Sequence, residues 1–215
     1  MKLYTYPESG NSYKVRLLLS FLELDIEHID IDLMTDEQHS PAFLEINPRG
    51  EVPVLVDGDV CLRDSAAIMI YLAGLNRDSG WWSSDPAEQG LIAEWLAFAS
   101  SWVQYGVFTA RAVVSFGIPA NGLPVDFPND VLAEAKVRGE KSLSILDGDL
   151  ADREWLALGR PTIADIAVFP YVALAPMGDI SLEPYTNVLV WIERFKALPR
   201  FFPIDGLDVP GYRKT

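Results

Sequence analysis

Apolar and polar positions alternate from Lys2 to Tyr6, the two-residue period of a strand, and Pro7-Glu8-Ser9-Gly10 ends the run. Val15, Leu18, Leu19 and Leu22 then recur at i, i+3, i+4 and i+7, one apolar stripe of an amphipathic helix. Ile26, Ile29 and Ile31 mark a second strand, and residues 35–46 read as a short irregular helix interrupted near Pro41. Val54-Leu55-Val56 and Val60-Cys61-Leu62 flank Asp57-Gly58, a two-residue hairpin signal. Asp64-Ser65 stands where a helix starts, ahead of Ile68, Ile70, Tyr71 and Leu72. The order β-α-β-α-β-β-α over residues 1–78 predicts a small α/β domain.

A linker, 79–86, leads into a half whose periodicity is helical throughout, so residues 87–204 read as an all-α domain. Asp85 and Pro86 suit a cap and first turn. From Ala87 to about Phe116, Ile92, Trp95, Leu96, Ala99 and Val103 make one stripe, and Phe98, Trp102, Tyr105, Phe108 and Thr109 make a second. Two stripes predict burial on two sides. A Pro/Gly loop, 117–128, precedes a helix over 129–151 with Val131, Ala135, Leu143 and Leu146 inward. Thr162 with Asp165 forms a capping box ahead of an apolar run, a folding feature. The last helix carries Val188, Trp191, Ile192 and Phe195, and residues 205–215 form a polar tail.

A chain of 215 residues with 49 % apolar and 22 % charged residues suits one or two globular domains. The formal charge of −14 argues against nucleic acid or an anionic membrane as partner. Residues 1–78 hold six Lys/Arg against fourteen Asp/Glu, so any anionic ligand there must be held by local donors. A single cysteine excludes an intrachain disulfide and fits a reducing compartment. Cys61 sits in an apolar strand, where an inert thiol is expected. The start MKLYTYPESG lacks the apolar run of a signal peptide and no stretch reaches membrane-spanning length, so a cytoplasmic location is expected. No metal is expected.

Two places offer chemistry. The turn Ser9-Gly10-Asn11-Ser12 puts hydroxyl and amide donors at a helix N-terminus, where the helix dipole and open N–H groups already favour an anion. Pro53 heads a strand with no N–H to give, leaving the main chain of Val52 to pair with an extended peptide, while the amides near Ser65 suit a carboxylate. Together they describe a site for a small anionic peptide.

Val52-Pro53 entering a hairpin and Asp64-Ser65 opening a helix resemble the glutathione-binding half of cytosolic glutathione transferases. The string Gly159-Arg160-Pro161-Thr162-Ile163-Ala164-Asp165-Ile166-Ala167 resembles the start of the buried helix in their second domain. The likeness covers nearly the whole chain and is closest to the bacterial, serine-type branches (theta-, phi- and zeta-like). It implies a thioredoxin-like α/β domain, 1–78, followed by an all-α domain carrying the acceptor site. Glutathione would be the co-substrate, its thiolate attacking a small hydrophobic or electrophilic acceptor, in a detoxifying homodimer. By the same likeness Ser9 activates the thiol, with Asn11 and Ser12 as alternative donors. Val52 pairs with the cysteinyl backbone, Pro53 is the cis proline, and Asp64 and Ser65 meet the γ-glutamyl end. Where relatives place a glycyl-carboxylate histidine this chain has Gln38, a departure, with His39 one residue further on, and it has Glu51 where some carry Gln or Lys. Tyr105, Phe108 and Arg111 would line the acceptor pocket or equally be plain core, and Arg63 would lend charge to the ligand unless strand alternation points it away. The same thiolate would also serve a disulfide reductase or a dehalogenase-like enzyme, and a transferase-like interaction module without catalysis is the third reading.

Overall fold

The structure is a computed structural model that describes residues 1–118 and 128–209. The chain divides into two compact units: Met1–Ser83 with Pro199–Ile204, and Ser84–Leu198 with the described residues from Asp205 on.

In the first unit, strands β1 (Lys2–Thr5), β2 (Glu27–Asp30), β3 (Val54–Asp57) and β4 (Val60–Arg63) form one sheet in the order β2-β1-β3-β4. β1 runs parallel to β2 and antiparallel to β3, and β3 turns back into β4. This is the thioredoxin-like arrangement. The hairpin loop is Gly58-Asp59, one residue later than the Asp57-Gly58 expected, because Asp57 still pairs with Val60. Tyr71 donates to its carboxylate at 2.9 Å and keeps Asp57 in the strand, while Gly58 supplies the positive φ of 56°.

Strand alternation sorts the core into two layers. Tyr4, Val54, Val56 and Cys61 face α2 (Pro41–Ile46) and pack with Ile31 and Phe43. On the other face, Leu3 and Leu55 are fully buried beside α1 (Gly10–Phe21) and α3 (Ser65–Leu75), which pack together. Pro41 starts a helix; it does not interrupt one. Ser40 accepts from the Phe43 N–H at 3.3 Å and Pro41 occupies the first turn, where its missing N–H costs nothing. The chain before it makes two separate 3₁₀ turns, Leu33–Thr35 and Glu37–His39. Pro199–Ile204 returns to this unit, with Tyr13 donating to the Phe202 carbonyl and Arg200 paired to Glu23 at 2.6 Å.

In the second unit, α4 (Pro86–Phe98), a π-helical segment (Ala99–Phe108) and α5 (Thr109–Phe116) form one continuous helical run. Ile92, Trp95, Leu96, Ala99 and Val103 are buried as expected, and Val107 is buried with them. The second stripe is buried only in part: Thr109 is buried and Phe98 and Phe108 are half-buried, whereas Trp102 and Tyr105 are 37 % and 54 % exposed. Opening the turn to i→i+5 hydrogen bonds breaks the 3.6-residue period on which that stripe was projected. The Thr109 hydroxyl follows the wider turn, donating to the Gln104 carbonyl at 2.9 Å.

Ala135, Leu143 and Leu146 of α6 (Pro128–Asp149) are buried, and Val131 is half-buried. A Cβ on Gly106 would lie 2.8 Å from the Gly139 backbone, so only glycine lets the π-helical segment cross α6 this closely. Every residue of α7 (Ile163–Ala173) is buried, with the Thr162–Asp165 capping box at its start. The buried residues of α8 (Thr186–Lys196) are Val188, Trp191, Ile192 and Phe195. Gly117 ends α5 with φ 64°; residues 119–127 of the expected loop and 210–215 of the tail lie outside the described residues. Among the described residues, no helix is long and apolar enough to cross a membrane.

Candidate functional site

Strand register carries the candidate residues of the first unit to one end of the sheet. Tyr4 is opposite Val54 and Val54 is opposite Arg63, so Pro53 and Asp64 flank one rung beside the C-terminal end of β1. The turn Ser9–Ser12 follows that end of β1. β2, parallel to β1, ends on the same side and runs on to Gln38 and His39. The N-termini of α1 and α3 therefore open at this edge, each with unsatisfied N–H groups and the positive end of its dipole.

At the start of α1, Ser9 is the N-cap and half-buried, its Oγ accepting from the Ser12 N–H at 3.2 Å. One lone pair of that oxygen is thus committed, while its O–H remains a donor. Ser12 is fully buried and its Oγ accepts from the Tyr6 N–H at 3.3 Å, which builds Ser12 into the turn. Asn11 is half-buried and its Oδ1 accepts from Lys14 Nζ at 2.9 Å.

Lys14 was not among the expected site residues. Only 4 % exposed, it has its amine pushed down to about 8 by burial, against the opposing pull of the Asp64 carboxylate. Its position was a readable signal: Lys14 lies three and four residues before Leu17 and Leu18, a cation inside the apolar stripe.

Asp64 caps α3, its carboxylate accepting from the Ala66 N–H at 2.8 Å. Its backbone has φ 82° and ψ 131°, a conformation that costs an ordinary residue about 1–3 kcal/mol. Asp64 is exposed and Ser65, next to it, is 7 % exposed.

The approach to β3 is pinned from beneath. Asn47, 1 % exposed, donates through Nδ2 to the Glu51 carbonyl at 2.7 Å and accepts from the Arg49 N–H at 3.2 Å. The Val52–Pro53 peptide bond is cis, Val52 is half-buried against the α2-side core, and the Glu51 side chain is exposed. Gly50 has φ 63°, and a Cβ there would lie 2.5 Å from Cδ2 of His39. The His39 ring therefore rests on this turn.

Asp36 organises the neighbouring residues, a role the sequence did not announce. Its Oδ1 meets His39 Nδ1 at 2.6 Å and accepts from Gln38 Nε2 at 3.0 Å. With its amide nitrogen held by a carboxylate, Gln38 turns Oε1 the other way, into a buried position with no hydrogen-bond partner. An orphaned buried acceptor is costly until a donor reaches it.

Arg63 belongs elsewhere. Alternation sends it to the α2 face, where Nη2 and Nε donate to the Ile46 carbonyl at 2.7 and 3.2 Å. Cys61, on the same face, is half-buried with Sγ 3.7 Å from that carbonyl. In the second unit, Tyr105 is exposed, Phe108 packs edge-on against Tyr171 at 4.7 Å, and Arg111 is 4 % exposed with its guanidinium 4.8 Å from the Phe116 ring centre. Arg111 Nε also lies 3.4 Å from the Met177 sulfur. Among the described residues, no group of three or more His, Cys, Asp or Glu could hold a metal ion.

Known proteins bear on these sites. The family description "Glutathione S-transferase, N-terminal domain" matches residues 1–74, and "Glutathione S-transferase, C-terminal domain" matches residues 108–199. Glutathione S-transferase Z2 of Arabidopsis thaliana is 29 % identical over 203 residues, 94 % of this chain and 88 % of its own. Among solved structures, a glutathione S-transferase from Pseudomonas fluorescens is 30 % identical, with TM-score 0.84 over 94 % of this chain and 97 % of its own. A glutathione transferase homologue from Drosophila mojavensis, solved with bound glutathione, is 26 % identical, with TM-score 0.80 over 92 % of this chain and 88 % of its own.

Proposed function

This chain belongs to the glutathione S-transferase family and is a glutathione transferase, and from that premise we infer how its own residues divide the work. Glutathione lies across the sheet edge where the starts of α1 and α3 meet the Val52–Pro53 turn. That convergence, fixed by strand register, is the observation that carries the reading. The γ-glutamyl carboxylate takes the N–H groups and hydroxyl at Ser65, and Asp64 holds the amino group. Val52 exchanges main-chain hydrogen bonds with the cysteinyl residue. Toward the glycyl end stand Gln38 and His39, both held by the Asp36 carboxylate.

The thiol sits at the N-terminus of α1. A cysteine thiol with pKa near ~8.5 must drop about two units to be mostly ionised at neutral pH, which takes roughly 2.7 kcal/mol of preference for the thiolate. One charge-assisted hydrogen bond plus a helix terminus supplies about that much. Ser9 is the proposed donor, with Asn11 beside it. The thiol proton leaves to solvent. The sulfur lone pair then forms a bond to an electrophilic carbon of the acceptor, and the leaving group departs with the electron pair of its own bond.

The second unit carries the proposed acceptor residues. Tyr105 is its accessible member, Phe108 contributes an apolar wall, and buried Arg111 supports the segment from within. A homodimer acting in the cytoplasm on toxic electrophiles completes the proposal; its supports are family membership and the single cysteine. Disulfide reduction, dehalogenase-like chemistry and a non-catalytic role are not favoured. The test is conjugation of glutathione to a chlorinated dinitroarene, followed by thioether absorbance. Saturable dependence on glutathione is the expected result; reduction of a mixed disulfide without any conjugation would overturn it.

A further inference from the structure

Between the two helix starts lies a buried cation that the reading above does not use. We propose that Lys14 is a positioning residue: its ammonium holds the carboxamide of Asn11 with Oδ1 inward, so that Asn11 presents only its NH2 to the ligand thiolate. The proposal rests on glutathione binding at this edge.

The argument is one of hydrogen-bond polarity. The oxygen and NH2 of an asparagine are nearly alike in shape and opposite in character. An ammonium carries three donors and no acceptor, so the atom 2.9 Å from Lys14 Nζ is the amide oxygen. The NH2 of Asn11 is then the outward edge. Were the amide to rotate, its oxygen would face the anionic sulfur and oppose ionisation. Ser9 makes the second half of the cradle, since its oxygen already accepts from the Ser12 N–H and its O–H is left to donate. A thiolate held there meets two donors of fixed sense.

Burial strengthens the case. A lysine that is 4 % exposed gives up most of its hydration, which is tolerated only where the charge has partners. Asn11 on its own helix supplies one. Across the packed pair α1 and α3, the Asp64 carboxylate acts on it through space. Lys14 thereby ties the turn facing the thiol to the helix start facing the γ-glutamyl end. The other charged groups near this turn are engaged elsewhere: Glu8 accepts from the Tyr6 hydroxyl at 2.9 Å, and Arg16 donates to Thr5 and to the Tyr6 carbonyl at 2.7 and 2.9 Å.

The experiment measures the pKa of the enzyme-bound thiol by thiolate absorbance, together with kcat and the glutathione Kd, for the unaltered protein and five variants. Lys14→Met should raise the bound-thiol pKa by about one unit, a tenfold loss of thiolate below that pKa, with Kd changed less than about threefold. Asn11→Ala should do the same, and the double variant should be no worse than either single one. Lys14→Arg, another side chain with donors only, should restore most of the shift. Asn11→Asp keeps the partner of the ammonium but turns an anion outward, so it should raise the thiol pKa further than Asn11→Ala. That variant tests the proposal even if Lys14→Met does not fold. Independent, multiplying effects of Lys14→Met and Asn11→Ala overturn the proposal, as does an unmoved thiol pKa in Asn11→Asp. Failure of the unaltered protein to bind glutathione overturns the site reading and the proposal together.

Discussion

Replacing Asp165 by alanine should be the most damaging single change in the second unit. The carboxylate is fully buried and collects donors from three parts of the chain. Oδ1 accepts from the Leu156 N–H at 3.0 Å and from the Trp191 indole at 3.1 Å; Oδ2 accepts from the Thr162 N–H at 2.9 Å. Alanine leaves these three donors without acceptors, each at about 1–3 kcal/mol, and removes half of a capping box. Partial relaxation keeps the sum below its upper limit, so a loss of about 3–6 kcal/mol is expected, a large share of the ~5–15 kcal/mol typical of a folded protein. Asp165→Asn is the control. Its oxygen can keep the Leu156 and Trp191 donors while its NH2 opposes Thr162, so the loss should be about half as great. Urea unfolding followed by tryptophan fluorescence, with the slope compared between variants, reads both values. A loss under about 1 kcal/mol for Asp165→Ala, or equal losses for the two variants, would refute the reasoning.

Three further outcomes follow from the first unit. Gly50→Ala adds a Cβ 2.5 Å from the His39 ring at φ 63°, so urea unfolding should show a loss of about 1–3 kcal/mol, and glutathione affinity should fall with it. Lys14 ionises near 8 when folded and 10.5 when free, so above pH 8 the folded state sheds its proton before the unfolded state does. Stability relative to Lys14→Met should then climb by about 3 kcal/mol between pH 8 and 10.5; a flat difference contradicts the buried charge. Ser9→Ala should lower kcat about tenfold or more while glutathione Kd changes little, and a silent Ser9→Ala beside an inactive Asn11→Ala would transfer the donor role to Asn11.

Much of this was legible in the chain because local rules and tertiary structure agree. Asp64, Asp85 and Thr162 each cap a helix as their side chains suggest, and the hairpin forms where its turn residues announce it, with the loop one residue later than expected. What escaped was whatever depends on partners distant in sequence or on an unusual helix. Nothing near Arg63 says that its donors go to Ile46, seventeen residues back. Asp36 becomes an organiser only because its left-handed backbone brings Gln38 and His39 onto one oxygen. Projecting Trp102 and Tyr105 on a regular helix buries them, whereas the π-helical turn brings both to the surface. Lys14 was visible as a lysine in an apolar stripe, but its meaning needed the position of Asn11.

The central claim is that this sheet edge binds glutathione and ionises its thiol. The direct measurement is a pH titration of glutathione bound to the protein, read by thiolate ultraviolet absorbance. The account predicts a bound-thiol pKa about two units below the ~8.5 of an unperturbed cysteine thiol. Binding with an unshifted pKa, or no binding at all, would contradict it.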